Sequence, residues 1–125
     1  MLICENMSIL SFYNVDMEIL LDKRKQELIR SYIPSDGSLK ALAYFFDMLS
    51  DRTRLKILSA LSISPMCVND LSVMLELNQT TLSHQLGKLR VSKIVDYRKQ
   101  GKISFYYISS PAISEILLTA VRAAD

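Results

Sequence analysis

Val68-Asn69-Asp70-Leu71-Ser72-Val73-Met74-Leu75, then Glu76-Leu77, then Asn78-Gln79-Thr80-Thr81-Leu82-Ser83-His84-Gln85-Leu86-Gly87-Lys88-Leu89-Arg90 is the stretch on which the fold turns. Apolar residues recur at helical spacing twice over: Leu71, Met74 and Leu75 in the first segment, Leu82, Leu86 and Leu89 in the second. Spacings of three, four and seven put each set on one face, so the segments read as short helices over 68–75 and 78–92. Asn78 is placed to cap the second, its side-chain oxygen accepting a backbone N–H that the first turn cannot pair. Two helices joined by so short a link form a helix-turn-helix.

Downstream the period changes from helical to alternating. Ile94-Val95-Asp96-Tyr97-Arg98, a polar turn Lys99-Gln100-Gly101-Lys102, and Ile103-Ser104-Phe105-Tyr106-Tyr107-Ile108 read as a hairpin with a cationic tip. Ser110 can cap a last helix with Pro111 at its first position, where no N–H is needed. Its apolar set is Ile113, Ile116, Leu117, Ala120, Val121 and Ala124. Upstream, residues 18–32 read as a helix with one buried face, carrying Ile19, Leu20, Leu28, Ile29 and Tyr32, and Pro34-Ser35-Asp36-Gly37 ends it. Ser38 is the predicted cap of the next helix, with Leu39, Leu42, Ala43, Phe46 and Leu49. Asp51 is the predicted cap of a third. Its inner face is Leu55, Leu58, Ala60 and Leu61, which leaves Arg52, Arg54 and Lys56 for solvent or a partner. The first sixteen residues lack periodicity, and Met17 is an alternative start.

Composition bounds the rest. The chain has 125 residues, half of them hydrophobic, with only three Gly and three Pro, which fits one mainly helical core and excludes disordered or collagen-like classes. No run of eighteen apolar residues escapes interruption by charge, and Glu5 stands where a secretory signal would carry basic residues, so neither a spanning helix nor a signal peptide is expected. Two cysteines, Cys4 and Cys67, are too few for a disulfide framework and suit a reducing, cytoplasmic setting. The net charge of +2 conceals an asymmetry. Residues 78–102 hold Lys88, Arg90, Lys93, Arg98, Lys99 and Lys102 against Asp96 alone, which is +5, so the other residues carry −3.

A catalytic reading finds little to work with. The chain has one histidine, no Gly-rich phosphate loop and no H-E-x-x-H, so it is not expected to be an enzyme; a Cys67–His84 nucleophile pair is the one arrangement a small thiol enzyme could use. Taken alone, His84 is an exposed polar residue. Binding of duplex DNA is better provided for. Gln79, Thr80, Thr81, Ser83, His84 and Gln85 lie in the N-terminal half of the second helix, the end that enters a major groove, and their amides and hydroxyls can read base edges. Lys88, Arg90, Arg98, Lys99 and Lys102 have the charge to meet phosphates, which fix register without choosing sequence. The blander alternative is a helix face and a hairpin tip that are simply solvated; a further one is a domain used only as a protein-interaction module.

Three segments in order resemble the ArsR–SmtB family of winged-helix repressors, over residues 39–108. Ser50-Asp51-Arg52-Thr53-Arg54-Leu55-Lys56-Ile57-Leu58 is similar to the family's D-P-T-R-L-R-I-L helix; Asn78-Gln79-Thr80-Thr81-Leu82-Ser83-His84-Gln85-Leu86 is similar to its S-Q-S-x-x-S-H-x-L recognition helix; Tyr97-Arg98-Lys99-Gln100-Gly101-Lys102 is similar to its Y-R-K-x-G-R wing. The resemblance implies a mainly α winged helix-turn-helix with a small β-hairpin, dimerising through its first and last helices on an imperfect palindromic operator. In that organisation 1–125 is a single DNA-binding domain: an N-terminal extension and dimerisation helix over 1–37, a core over 38–108 and a C-terminal dimerisation helix over 109–125. Gly87 stands where the family often has a basic residue, and Lys93 where a left-handed Gly is usual, so a different helix end is expected there. Of the family's C-V-C-D-L thiolate motif only Cys67 is present, in Cys67-Val68-Asn69-Asp70-Leu71, and the last-helix zinc positions are Ser110, Ala112 and Ala123. No zinc site is expected. What remains for Cys67 is either a small buried hydrophobe, as free cysteines commonly are, or an effector or redox site pairing it with Cys4, beside Met66, whose sulfur donors suit a soft ion such as Cu(I).

Overall fold

The computed structural model describes residues 19–125, which fall into two compact units divided between Leu39 and Lys40. Cys4, the unpatterned first residues and Met17 lie outside the described residues. In the first unit Asp22 caps helix α1 (Lys23–Tyr32), its carboxylate accepting from the Lys25 N–H at 2.8 Å. The predicted buried face of this helix is corrected: no α1 residue is buried, and Leu28, Ile29 and Tyr32 are exposed. Helix α2 (Asp36–Leu49) starts earlier than predicted. Ser35, not Ser38, holds its first turn, accepting from the Ser38 N–H at 3.2 Å.

From Lys40 onward the chain builds one core. Helices α3 (Arg52–Leu61), α4 (Val68–Leu75), α5 (Gln79–Val91) and α6 (Pro111–Ala124) follow, with strands β1 (Met66–Cys67), β2 (Val95–Gln100) and β3 (Ile103–Ile108). Ile57, Leu58, Leu71, Leu82, Leu86, Leu89 and Val95 are the largest fully buried side chains, and Ile113 and Leu117 of α6 close the cluster. The α5 stripe is therefore inside as its spacing requires, each leucine contributing about 1.5–3 kcal/mol of burial. Elsewhere the inner faces shift by one position. Ile57 is buried in α3 where Leu55 and Ala60 are only partly so, and in α4 Val68 and Leu75 flank Leu71 while Met74 points outward.

The expected hairpin is part of a three-stranded antiparallel sheet in the order β1-β3-β2. Strand β1 pairs Met66 with Tyr106 and Cys67 with Phe105, and two residues are too few to leave a periodic signal in sequence. Strand β2 continues through Lys99 and Gln100 to pair Gln100 with Ile103, so the loop is only Gly101-Lys102, not four residues. Gly101 has φ +66° and Lys102 does not share the positive sign, the pattern of a II′ turn, which favours Gly at its first central position.

Both corners around the helix-turn-helix are made without glycine. Glu76 (φ +55°) ends α4 and Lys93 (φ +62°) follows α5 in left-handed conformation. After α5 the Ile94 N–H donates to Leu89 O and the Lys93 N–H to Arg90 O, both at 2.9 Å, with Ile94 and Leu89 both buried. These bonds close a Schellman motif, so the missing Gly does not change the geometry of this end. Asp51 and Asn78 cap as their positions predict, Asn78 accepting from the Thr80 N–H at 2.7 Å and the Thr81 N–H at 3.3 Å. At α6 Pro111 takes the first turn as expected, but the Ser110 side chain makes no cap bond.

Lys93→Gly is expected to stabilise the fold by about 0.5–1 kcal/mol, because only the β-carbon strain of the left-handed residue is removed. Gly87 lies mid-helix with nothing within 4 Å of an added β-carbon, so Gly87→Ala should gain about 1 kcal/mol of helix propensity. Urea midpoints of the two variants, with unchanged m-values, check both.

Candidate nucleic-acid interface

Because Leu82, Leu86 and Leu89 face the core, the opposite side of α5 is presented outward. Gln79, Thr80, Thr81, Ser83 and His84 are exposed there. The first turn of α5 holds no acid, so the positive end of the helix dipole is uncompensated at the edge where these side chains cluster. Gln79 also donates from Nε2 to Asn69 Oδ1 at 3.2 Å, a bond that ties the first turn of α5 to α4. Ser83, His84 and Lys88 share an open groove of about 720 Å³ with Tyr44 and Asp47 of α2, and Gly87 leaves its floor without a side chain.

Three residues predicted to face a ligand are held differently from one another. Gln85 is half-buried, its Oε1 accepting from Arg54 Nη1 at 3.2 Å, so it does not project with Ser83 and His84. Arg90 donates from Nε to Asp96 Oδ1 at 3.2 Å, and its guanidinium lies 4.4 Å from the centre of the Tyr97 ring. Both ends of that ion pair are about half exposed, 51% and 49%, so it contributes at most about 1 kcal/mol. Its effect is placement: it fastens the last turn of α5 to β2. Lys88 is exposed and makes no ion pair among the described residues.

On the hairpin, the register puts Val95, Tyr97 and Lys99 on the face of Tyr106 and Ile108, towards the core, and Asp96, Arg98 and Gln100 on the other. Arg98 lies 5.3 Å from the Tyr107 ring centre on that outer face, which stiffens an otherwise free side chain. Lys99 and Lys102 extend past the buried part of the sheet and are exposed. Helix face and hairpin tip thus form two presented surfaces, one rich in amides and hydroxyls, the other in cations.

Of the cations expected to face solvent or a partner, Arg54 is half-buried within the fold, and Lys56, though exposed, is held by a backbone carbonyl. Arg54 Nε donates to Met48 O at 2.7 Å, and Lys56 Nζ donates to Leu75 O at 2.8 Å, at the C-terminal turns of α2 and α4. Carbonyls there lack helical partners and carry the negative end of the dipole, a signal that only the packed helices reveal.

Cys67 is a free, half-buried thiol at the junction of β1 and α4, and it lines a separate groove with Asn69, Lys102 and Phe105. His84 lines the α2–α5 groove instead, so the two side chains a thiol enzyme would need do not share a pocket. Among the described residues no group of three or more His, Cys, Asp or Glu is placed to hold a metal ion, and no helix is long and apolar enough to cross a membrane. The described donors alone therefore do not fit a metal centre.

Residues 51–97, from the α3 cap to Tyr97 of the hairpin, match the family described as bacterial regulatory protein, arsR family. The chain is similar to a transcriptional repressor SmtB homolog of Synechocystis, 35% identical over 86 residues, covering 66% of this chain and 65% of that protein. It is similar to an arsenical resistance operon repressor of Staphylococcus aureus, 34% identical over 80 residues, covering 64% of this chain and 77% of that repressor. Among solved structures it is similar to a homodimeric winged helix-turn-helix DNA-binding domain of Mycobacterium bovis, 25% identical, with a TM-score of 0.66 and coverage of 74% of this chain and 89% of the other. The chain spans just under two thirds of the SmtB homolog's length. With the family match over residues 51–97 and a repressor covered to 77% of its length at 34% identity, this chain belongs to the ArsR family of bacterial regulatory proteins.

Proposed function

We propose that the protein is a cytoplasmic, homodimeric transcriptional repressor that binds an imperfect palindrome in double-stranded DNA. The observation that carries this reading is the pairing of the exposed N-terminal half of α5 with the cationic hairpin tip. Gln79, Thr80, Thr81, Ser83 and His84 suit base edges, and Lys88, Arg98, Lys99 and Lys102 suit phosphates. Arg90 fastens the wing to the recognition helix and meets phosphate only through the edge that Asp96 leaves free. The names of the relatives as repressors support regulation over catalysis. A fluorescence titration on duplex DNA should show affinity falling steeply with salt. Replacing Arg98, Lys99 and Lys102 together by Ala should weaken binding to all sequences and reduce the log–log salt slope by about one for each phosphate no longer neutralised. A protein-interaction module would be indifferent to both.

Dimerisation is supported by apolar residues that the core leaves out. Phe46 on α2 is 50% exposed, and Leu118 and Val121 on α6 are each 53% exposed at a spacing of three. This extends the proposed interface from residues 1–37 into α2. The Mycobacterium bovis relative is homodimeric, and two copies would space two recognition helices over one turn of duplex. Leu118→Glu should shift sedimentation towards the monomer and weaken operator binding, with little loss of helical signal.

Release from DNA is proposed to act through Cys67, with Cys4 as the second thiol, in response to a thiophilic metal or an oxidant. The partial exposure of Cys67 and the arsenical-resistance name of a relative support this reading. Cys67→Ser should leave operator affinity unchanged while abolishing its loss on adding Cu(I) or an oxidant. An unaltered response in the variant refutes the assignment.

A further inference from the structure

Resting on the DNA-binding reading, we propose that Arg54 is a positioning residue for the recognition helix, with Gln85 as its anchor on α5 rather than a reader of bases. Three bonds define Arg54. Its backbone N–H donates to Asp51 Oδ2 at 3.0 Å, Nε to Met48 O at 2.7 Å and Nη1 to Gln85 Oε1 at 3.2 Å. One half-buried side chain, rooted in the first turn of α3, therefore joins the last turn of α2 to the middle of α5. A planar fork is required, because a lysine ammonium on a flexible stem does not hold two acceptors on different helices in fixed directions.

The chemistry of the pair decides what Gln85 can do. A guanidinium has donors and no acceptor, so the amide must turn its oxygen inward, towards Arg54. Bidentate recognition of adenine needs both ends of a glutamine side by side, the oxygen accepting from N6 and the nitrogen donating to N7. Gln85 has its oxygen committed inside the protein, whereas the preceding Ser83 and His84 are exposed and make no side-chain bond among the described residues. Arg54 meets carbonyl and amide oxygens within the fold, so it is not counted among the phosphate ligands. The same bonds connect α2, which carries the exposed Phe46, to the helix that reads DNA, so the angle of α5 is set from the proposed dimer side of the molecule.

The test uses the full chain and a duplex enriched from a random-sequence pool by the wild type, with every single-base-pair variant of that duplex. Gln85→Met should raise Kd about tenfold on the enriched duplex and Arg54→Met, which also loses the bond to Met48 O, at least as much; the double variant should be no worse than Arg54→Met, because the Arg54–Gln85 bond is already absent in each single. A positioning role predicts that Gln85→Met lowers affinity by a common factor across all base-pair variants. Arg54→Met should give the same profile with an unchanged salt slope, and Arg54→Lys an intermediate loss. Loss of discrimination at one base pair in Gln85→Met would show a base reader, and a salt slope reduced by about one in Arg54→Met would show a phosphate ligand. Either result overturns the inference, as does additivity of the two single losses. Urea midpoints of the wild type, Gln85→Met, Arg54→Met and the double variant probe the Arg54–Gln85 bond without DNA: non-additive shifts support it and additive shifts overturn it. Wild type that enriches no duplex refutes the DNA-binding reading itself, a result separate from these. If Arg54→Met does not fold, the base-pair profile of Gln85→Met alone decides.

Discussion

Burial of Leu82, Leu86 and Leu89 at zero exposure is the constraint on which the molecule depends. Together they contribute roughly 5–9 kcal/mol, comparable with the whole net stability of a small domain, roughly 5–15 kcal/mol. A rotation of α5 about its axis would forfeit most of that. The side of the helix that meets solvent is thus fixed by the side that does not, and the amides and hydroxyls of its first two turns are presented because the leucines cannot be. By contrast the Arg90–Asp96 pair, half exposed, is far too weak to choose an orientation; it secures the hairpin to a helix the core has already placed.

The corners show how little of the geometry rests on favourable local residues. Glu76 and Lys93 take a conformation that glycine adopts without strain, because the hydrogen bonds and the buried Leu89–Ile94 pair outweigh a cost of about 1–2 kcal/mol. The helix end at Lys93 thus closes without the glycine that the local conformation favours. Gly87 is the reverse case. Nothing in the structure crowds its α-carbon, so its absence of side chain serves no packing need and simply opens the groove between α2 and α5.

The cations divide in a way their count could not anticipate. Arg54 and Lys56 are drawn to the carbonyl ends of α2 and α4, Arg90 to Asp96 and Tyr97, and Arg98 to the Tyr107 ring, while Lys88, Lys99 and Lys102 remain exposed. Arg54 and Arg90 act as internal fasteners, while Lys88, Lys99 and Lys102 supply the surface field. That division follows from the planar, multidentate guanidinium set against the strongly hydrated ammonium.

Sequence alone determined the features whose causes are local. The spacing of Leu82, Leu86 and Leu89, the caps at Asp51 and Asn78, Pro111 at the head of α6 and the alternation in 94–108 each involve residues within one or two turns, so their signal survives in a linear reading. It also located the basic segment. Tertiary structure decided what depends on distant partners: that Met66 and Cys67 form a strand on β3, that Leu42 and Phe46 of α2 stay exposed, and that Gln85 turns inward. The Arg54–Gln85 bond spans 31 positions. No periodicity marks a pairing of that kind, because each member alone is an ordinary polar residue on a helix; its direction is set only when the core brings the two helices together.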